Sequence, residues 1–262
     1  MFQGNNADID ANMWFDLEYH HNKRDVRREL KLQEEKKQKE KKAENDDRFK
    51  NMSTVGSDEV GTGDYFGPIV VTAAFVDIKK KMWLYELGVK DSKGLTDEKI
   101  RQIAPTLIKE IPHCTYILNP EDYNKNKIFN MNKVKAILHN KVLVNLLKNK
   151  YDYKMIIMDQ FVYREKYYEH IKDIPEKVDK IFFTTKAENK CLSVAVASII
   201  SRYIFLTEMD KLSKIYNCEI LKGAGVNVDE LGVKLVKEYG IEILDKIAKI
   251  NFKNTEKIKA KI

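Results

Sequence analysis

Cysteine is scarce and badly placed for its usual structural roles: Cys114, Cys191 and Cys218 are the only three in 262 residues. They form no CxxC pair, none has histidines nearby at zinc-finger spacing, and an odd count cannot close a disulfide framework. They are expected to be reduced, buried thiols. The amino end, MFQGNNADIDANMW, has no basic stretch leading into an apolar segment, so no secretory leader is expected. The near-apolar runs, of which IVVTAAFV is typical, fall far short of the ~20 residues that a membrane span needs. Internal repeats are missing as well, and the one biased block is a lysine-rich stretch near the front. The missing leader and span lead to the expectation of a soluble cytoplasmic protein with no membrane contact; no obligate protein partner is evident, and a monomer is the simpler assumption.

What is present points to a folded protein. Hydrophobic residues make up 43% and aromatics 10%, the range of globular chains. The length suits one large domain, or one domain with an appendage. A formal charge of +7 with a pI near 9.0 favours a polyanionic partner through counterion release and steering, and narrows the partner no further.

Residues 5–48 read as a helix, with Ile9, Met13, Trp14 and Leu17 at three- and four-residue spacing, running into the charged tether KRDVRRELKLQEEKKQKEKK. Beyond Met52 the composition changes. TVGSDEVG and IVVTAAFVD are β-branched runs joined by a glycine-rich turn, which predicts a hairpin. A helix is expected over 97–110 with Thr96 as its N-cap, then a third strand in CTYILN. A long helix over 132–148 carries Val134, Ile137, Leu138, Val142 and Leu146 on one face and leads into KMIIMDQF, a short apolar run of the kind found in buried interior strands. KIFFTTK supplies a fifth strand. SVAVASIISRYIFLTEMDKL follows as a helix whose small residues, Ala195, Ala197 and Ser198, permit close packing on a sheet. The fold class is therefore α/β, with a central mixed five-stranded sheet flanked by helices.

Residues 56–68, GSDEVGTGDYFGP, set adjacent carboxylates just before a run of glycines. Gly61, Gly63 and Gly67 superficially match a dinucleotide loop, but such a loop opens a helix so that its amides face the pyrophosphate. Here Pro68 and a β-branched strand follow, and Asp58 and Glu59 would repel phosphate unless cations intervened. Carboxylates without nearby histidine are hard oxygen donors suited to Mg²⁺ or Mn²⁺. Two such ions about 4 Å apart can stabilise both oxygens of a phosphodiester displacement. The two side chains start on opposite sides of a strand, so the flanking Gly56 and Gly61 are expected to permit a local twist. Two more acids stand where strand ends should lie: Asp159 closes KMIIMD, and Glu188 sits in TTKAENKCLS. Singly, each of the four would pass for a surface or capping carboxylate; together they suggest a metal cluster. Tyr65 and Phe66 suit a core better than stacking on bases, and the tail KINFKNTEKIKAKI suits a solvated final helix better than a phosphate track.

In order along the chain, GSDEVGTGDYFGP, KDSKGL, MNKVKAILHN, MDQF, TKAENKCLSVAVASIISR and GAGVNVDE resemble the successive motifs of ribonuclease HIII, the bacterial type 2 ribonuclease H. The resemblance runs from Val55 to the carboxyl end. It implies a ribonuclease H-like catalytic domain over 53–262 that cuts the RNA strand of RNA/DNA hybrids with two Mg²⁺ or Mn²⁺ ions, leaving 5′-phosphate and 3′-hydroxyl ends, in DNA replication and repair. It also implies that Asp58, Glu59, Asp159 and Glu188 are the catalytic, metal-binding acids.

Gly61, Thr62 and Gly63 would meet the substrate, main chain against 2′-hydroxyls, and Lys93 would assist at the phosphates. The similar ribonuclease HII carries an aspartate where Glu188 stands and a basic residue where Thr62 stands; both departures favour HIII. Incision at single ribonucleotides, as in HII, and hybrid binding without catalysis stay open as alternatives. Residues 1–52 are expected to be a remnant of the small TATA-binding-protein-like domain of that family, plus the linker.

Overall fold

β-Branched and small apolar residues at successive positions build a sheet that is covered on both faces. The computed structural model describes Phe49 and residues 51–89, 94–126 and 130–262. The expected front remnant and tether, residues 1–48, lie outside these.

Strands β1 (Thr54–Val60) and β2 (Ile69–Val76) form the predicted hairpin, antiparallel from Thr54 opposite Val76 to Val60 opposite Val70. β3 (His113–Leu118) pairs antiparallel with β2. β4 (Met155–Asp159) and β5 (Ile181–Thr184) extend the other side, both parallel to their neighbours. The order β3-β2-β1-β4-β5 makes a mixed five-stranded sheet with β1 at its centre. Every residue of β2 is buried, as a strand enclosed on both faces requires.

The helices are α1 (Lys81–Leu87), α2 (Asp97–Glu110), α3 (Pro120–Lys125), α4 (Met131–Leu147), α5 (Arg164–His170), α6 (Leu192–Ile215), α7 (Val226–Tyr239), α8 (Ile243–Ile247) and α9 (Lys253–Lys259). Thr96 caps α2 as predicted, its hydroxyl accepting from the Lys99 amide. Asn130 does the same for α4 through the Lys133 amide. α4 lays Val134, Leu138, Val142 and Leu146 on one face of the sheet, against Val55, Val71 and Met158. α6 lies on the other face and packs against α2 through residues such as Ile199, Ile200, Ile100 and Ile103. Each such side chain, fully buried, contributes about 1.5–3 kcal/mol.

α6 is long and apolar enough to cross a membrane by length and composition, which the short apolar runs did not foretell. Most of its apolar surface is instead buried inside the fold, much of it against β1, β2 and α2. The helix comes so near that a Cβ on Gly56 would lie 2.4 Å from the Val194 amide nitrogen. Gly56 thus permits close packing, and β1 keeps its pairing unbroken to Val60.

A third apolar cluster joins Tyr65 and Phe66, both fully buried, to α7, α8 and α9. The basic tail is helical in α9 but docked rather than merely solvated: Ile258 is buried, and the Thr255 hydroxyl shares a 2.9 Å hydrogen bond with Tyr65. Cys191 is buried, Cys114 and Cys218 are partly so, and all three are free thiols.

Candidate metal centre

β1 delivers its last acids to the carboxyl edge of the sheet, one to each face. Val55, Ser57 and Glu59 face α4; Gly56 and Asp58 face α6, as the alternation of a strand dictates. Asp58 meets the Ser198 hydroxyl, and its main-chain carbonyl accepts from Ser201 at 3.2 Å. Burial pushes the Asp58 carboxyl up to about 8, and the charges of Glu59 and, more weakly, Glu188 act in the same sense against the hydrogen bond from Ser198.

Glu59 has the opposite fate. Its Oε1 lies 2.5 Å from Lys135 Nζ and its Oε2 2.9 Å from His139 Nε2. Burial alone would raise this carboxyl, but the hydrogen bonds and charges of His139 and Lys135 hold it down at about 2. His139 Nδ1 is hydrogen-bonded in turn to the Ser57 hydroxyl.

The β1–β4 register pairs Ser57 with Met158, so Asp58 and Asp159 stand at the same level on adjacent parallel strands, whose spacing is about 4.8 Å. Asp159 Oδ1 accepts from the Ala187 amide at 3.1 Å, capping the short 3₁₀ turn Ala187–Asn189. That turn carries Glu188, 4% exposed, within electrostatic reach of Asp58. The four acids predicted from sequence stand at the carboxyl ends of β1 and β4 and in the turn after β5, with Glu59 and Glu188 near enough for their charges to act on Asp58.

Among the described residues no three His, Cys, Asp or Glu side chains close on one point at ligating distance. The chemistry of the four acids nonetheless fits a hard divalent cation, the side chains being oxygen donors throughout. The unfavourable crowding of negative charge at Asp58 is what a cation would relieve.

The turn after β1 divides in two. Gly61 is buried with φ +95°, and a Cβ there would lie 2.1 Å from the Pro68 carbonyl oxygen, so its freedom serves the turn itself. Gly63 is exposed and has open space around it, with Thr62 partly exposed beside it. The turn is pinned from the carboxyl-terminal region: Tyr65 N donates to Gly223 O, Gly67 N to Ile247 O and Lys249 N to Tyr65 O. Buried Lys249 adds a 2.6 Å hydrogen bond from Nζ to the Gly67 carbonyl. Lys93 lies outside the described residues.

Sequence reasoning missed Lys135, His139, Ser198 and Phe161. A signal did exist for the first two: they are four apart in MNKVKAILHN and so share one helix face. Phe161, two residues past Asp159, stacks on His139 with ring centroids 5.6 Å apart.

Comparison with known proteins points to one family. A family model described as Ribonuclease HII matches residues 55–255. Ribonuclease HIII of Bacillus pumilus (strain SAFR-032) is 49% identical over 214 residues, covering 80% of this chain and 69% of that protein. Ribonuclease HIII of Bacillus subtilis (strain 168) is 42% identical over 267 residues, 98% of this chain and 80% of that one. The crystal structure of Bst-RNase HIII in complex with Mn²⁺ superposes with a TM-score of 0.79 at 41% identity, covering 82% of this chain and 71% of the other.

Proposed function

The chain belongs to the ribonuclease HII family and, within it, to the ribonuclease HIII proteins, and on that premise we propose that it hydrolyses the RNA strand of RNA/DNA hybrids with divalent metal held by Asp58, Glu59, Asp159 and Glu188. It is a ribonuclease H, an endonuclease. The four carboxylates would hold Mg²⁺ or Mn²⁺, two ions in all, and metal bound there would supply an activated water and charge stabilisation of the leaving 3′ oxygen, giving 5′-phosphate and 3′-hydroxyl ends.

The side chains supply placement and charge. Asp58, which feels the charges of Glu59 and Glu188 and stands level with Asp159 by strand register, would be the central donor. Ser198 orients it from α6, while Glu59 is presented from the α4 side and Asp159 and Glu188 from the β4 side. Gly63 and Thr62, at the open part of the turn, offer main chain to the ribose 2′-hydroxyls, the feature that tells RNA from DNA. Lys93 has a supporting role at the phosphates on the strength of its sequence motif alone. The protein acts as a monomer.

What supports this reading most is the β1–β4 register that sets Asp58 beside Asp159. The test is a denaturing-gel assay with Mg²⁺ or Mn²⁺, offering an end-labelled RNA/DNA hybrid beside a DNA duplex that contains one ribonucleotide. Cutting of the continuous hybrid alone is expected. Efficient cutting at the lone ribonucleotide would move the specificity to that of ribonuclease HII, and no metal-dependent cutting of either would leave a hybrid-binding protein.

A further inference from the structure

Glu59 is gripped at both carboxylate oxygens, by Lys135 at 2.5 Å and His139 at 2.9 Å. The two grips differ in kind. Lys135 brings a charge on a long side chain, its Nζ also 4.1 Å from the centre of the Phe161 ring. His139 is fully buried, stacked on Phe161, and tied through Nδ1 to Ser57, which is itself fully buried and two residues before Glu59 on the same strand.

A buried imidazole and hydroxyl are costly unless each finds its partner. Here one ring satisfies both: its Nε2 bonds the Glu59 carboxylate and its Nδ1 bonds the Ser57 hydroxyl. The relay starts and ends on β1, so it ties the direction of the Glu59 carboxylate to the backbone of the central strand. A free glutamate side chain would have to give up its rotamer freedom on binding a cation, and one already fixed does not.

We propose that His139, braced by Ser57, is a positioning residue that orients the Glu59 carboxylate for the cation. The inference rests on the metal-centre reading above. Loss of a group that orients a metal ligand typically lowers metal affinity or activity about 10- to 100-fold.

The experiment is calorimetric titration of Mn²⁺ into the full chain without nucleic acid, with kcat and KM on an RNA/DNA hybrid measured alongside. The proteins are wild type, His139→Leu, His139→Gln and Ser57→Ala, each checked for native circular dichroism. His139→Leu is expected to weaken Mn²⁺ binding and lower kcat at fixed Mn²⁺, each by about 10- to 100-fold, while KM for the hybrid moves less than about twofold. His139→Gln should recover most of this, since its amide N–H can reach the same oxygen, and Ser57→Ala should fall between. Wild-type Mn²⁺ affinity in His139→Leu would overturn the proposal, and so would a natively folded His139→Gln as impaired as His139→Leu. Should His139→Leu fail to fold, wild-type affinity in Ser57→Ala would overturn it instead. Failure of the wild type itself to bind Mn²⁺ or cut the hybrid would remove the metal-centre reading, and this inference with it.

Discussion

Asp58 and Glu59 are consecutive on β1, yet their carboxylates lie on opposite faces of the sheet, Asp58 against Ser198 of α6 and Glu59 against His139 and Lys135 of α4. One is crowded by negative charge and the other is neutralised. Two adjacent acids thus have different electrostatic support, and substitutions at and around them should have different effects.

Asp58→Asn keeps the side-chain shape but removes an anionic donor whose charge Glu59 and Glu188 oppose. Metal-dependent cleavage should fall by more than about 100-fold, while the melting temperature in EDTA stays level or rises. Turnover close to wild type at saturating Mg²⁺ would refute the role given to Asp58.

Lys135→Met strips a counter-charge from a mostly buried pair, whose side chains are 13% and 11% exposed. The metal-free variant should lose roughly 3 kcal/mol, the cost of an uncompensated buried charge. Removing a positive charge beside a cation site also tightens cation binding, so Mn²⁺ should raise its melting temperature by more than it raises that of the wild type. An equal rise in both would mean that Lys135 is electrostatically remote from the bound ion.

The two glycines of the turn should separate stability from recognition. Gly61→Ala forces a Cβ into a left-handed position and against the Pro68 carbonyl, costing at least about 2 kcal/mol in a urea melt. Gly63→Ala meets nothing within 4 Å and should keep stability within about 0.5 kcal/mol while raising KM for the hybrid several-fold. An unchanged KM would show that the hybrid backbone does not approach Gly63.

Lys249 gives a pH signature. Burial lowers its ammonium to about 7, with Asp64 pulling weakly the other way. Folded protein gives up this proton near pH 7 and the unfolded chain only near 10.5. The unfolded state therefore binds the extra proton between those values, and stability rises with pH across that window by up to ~1.4 kcal/mol per unit. Lys249→Met lacks this slope. Urea midpoints at pH 7 and pH 9.5 should show the wild type gaining on the variant at the higher pH, and a constant gap would mean that Lys249 stays charged when folded.

Local chemistry made much of this legible in the sequence. Alternation and β-branching in TVGSDEV and IVVTAAFV set the hairpin, Thr96 announced the start of α2, and the apolar face of α4 was visible from Val134 to Leu146. Asp58, Glu59, Asp159 and Glu188 could be singled out because donor type, position at strand ends and order along the chain are properties of the chain itself. Tyr65 and Phe66 were recognisable as core residues for the same reason: large rings beside a strand turn are cheaper buried than wet.

Contacts between distant segments were not legible. No local pattern tells that Lys249 reaches the carbonyl of Gly67, 182 residues away, or that Gly56 exists to admit the start of α6. The tail looked solvated because its lysines dominate the composition, while Ile258 and Thr255, which dock it, are few.

The sequence by itself determined the elements, their amphipathic faces and the inventory of carboxylate donors, since these follow from backbone preference and side-chain chemistry within a few residues. Only the tertiary structure decided that α4 crosses β1 where its Lys135–His139 face meets Glu59, and that Asp58 stands level with Asp159. Strand register and helix docking depend on burying apolar surface from many segments at once. That shared burial is what gives two neighbouring acids opposite charge environments.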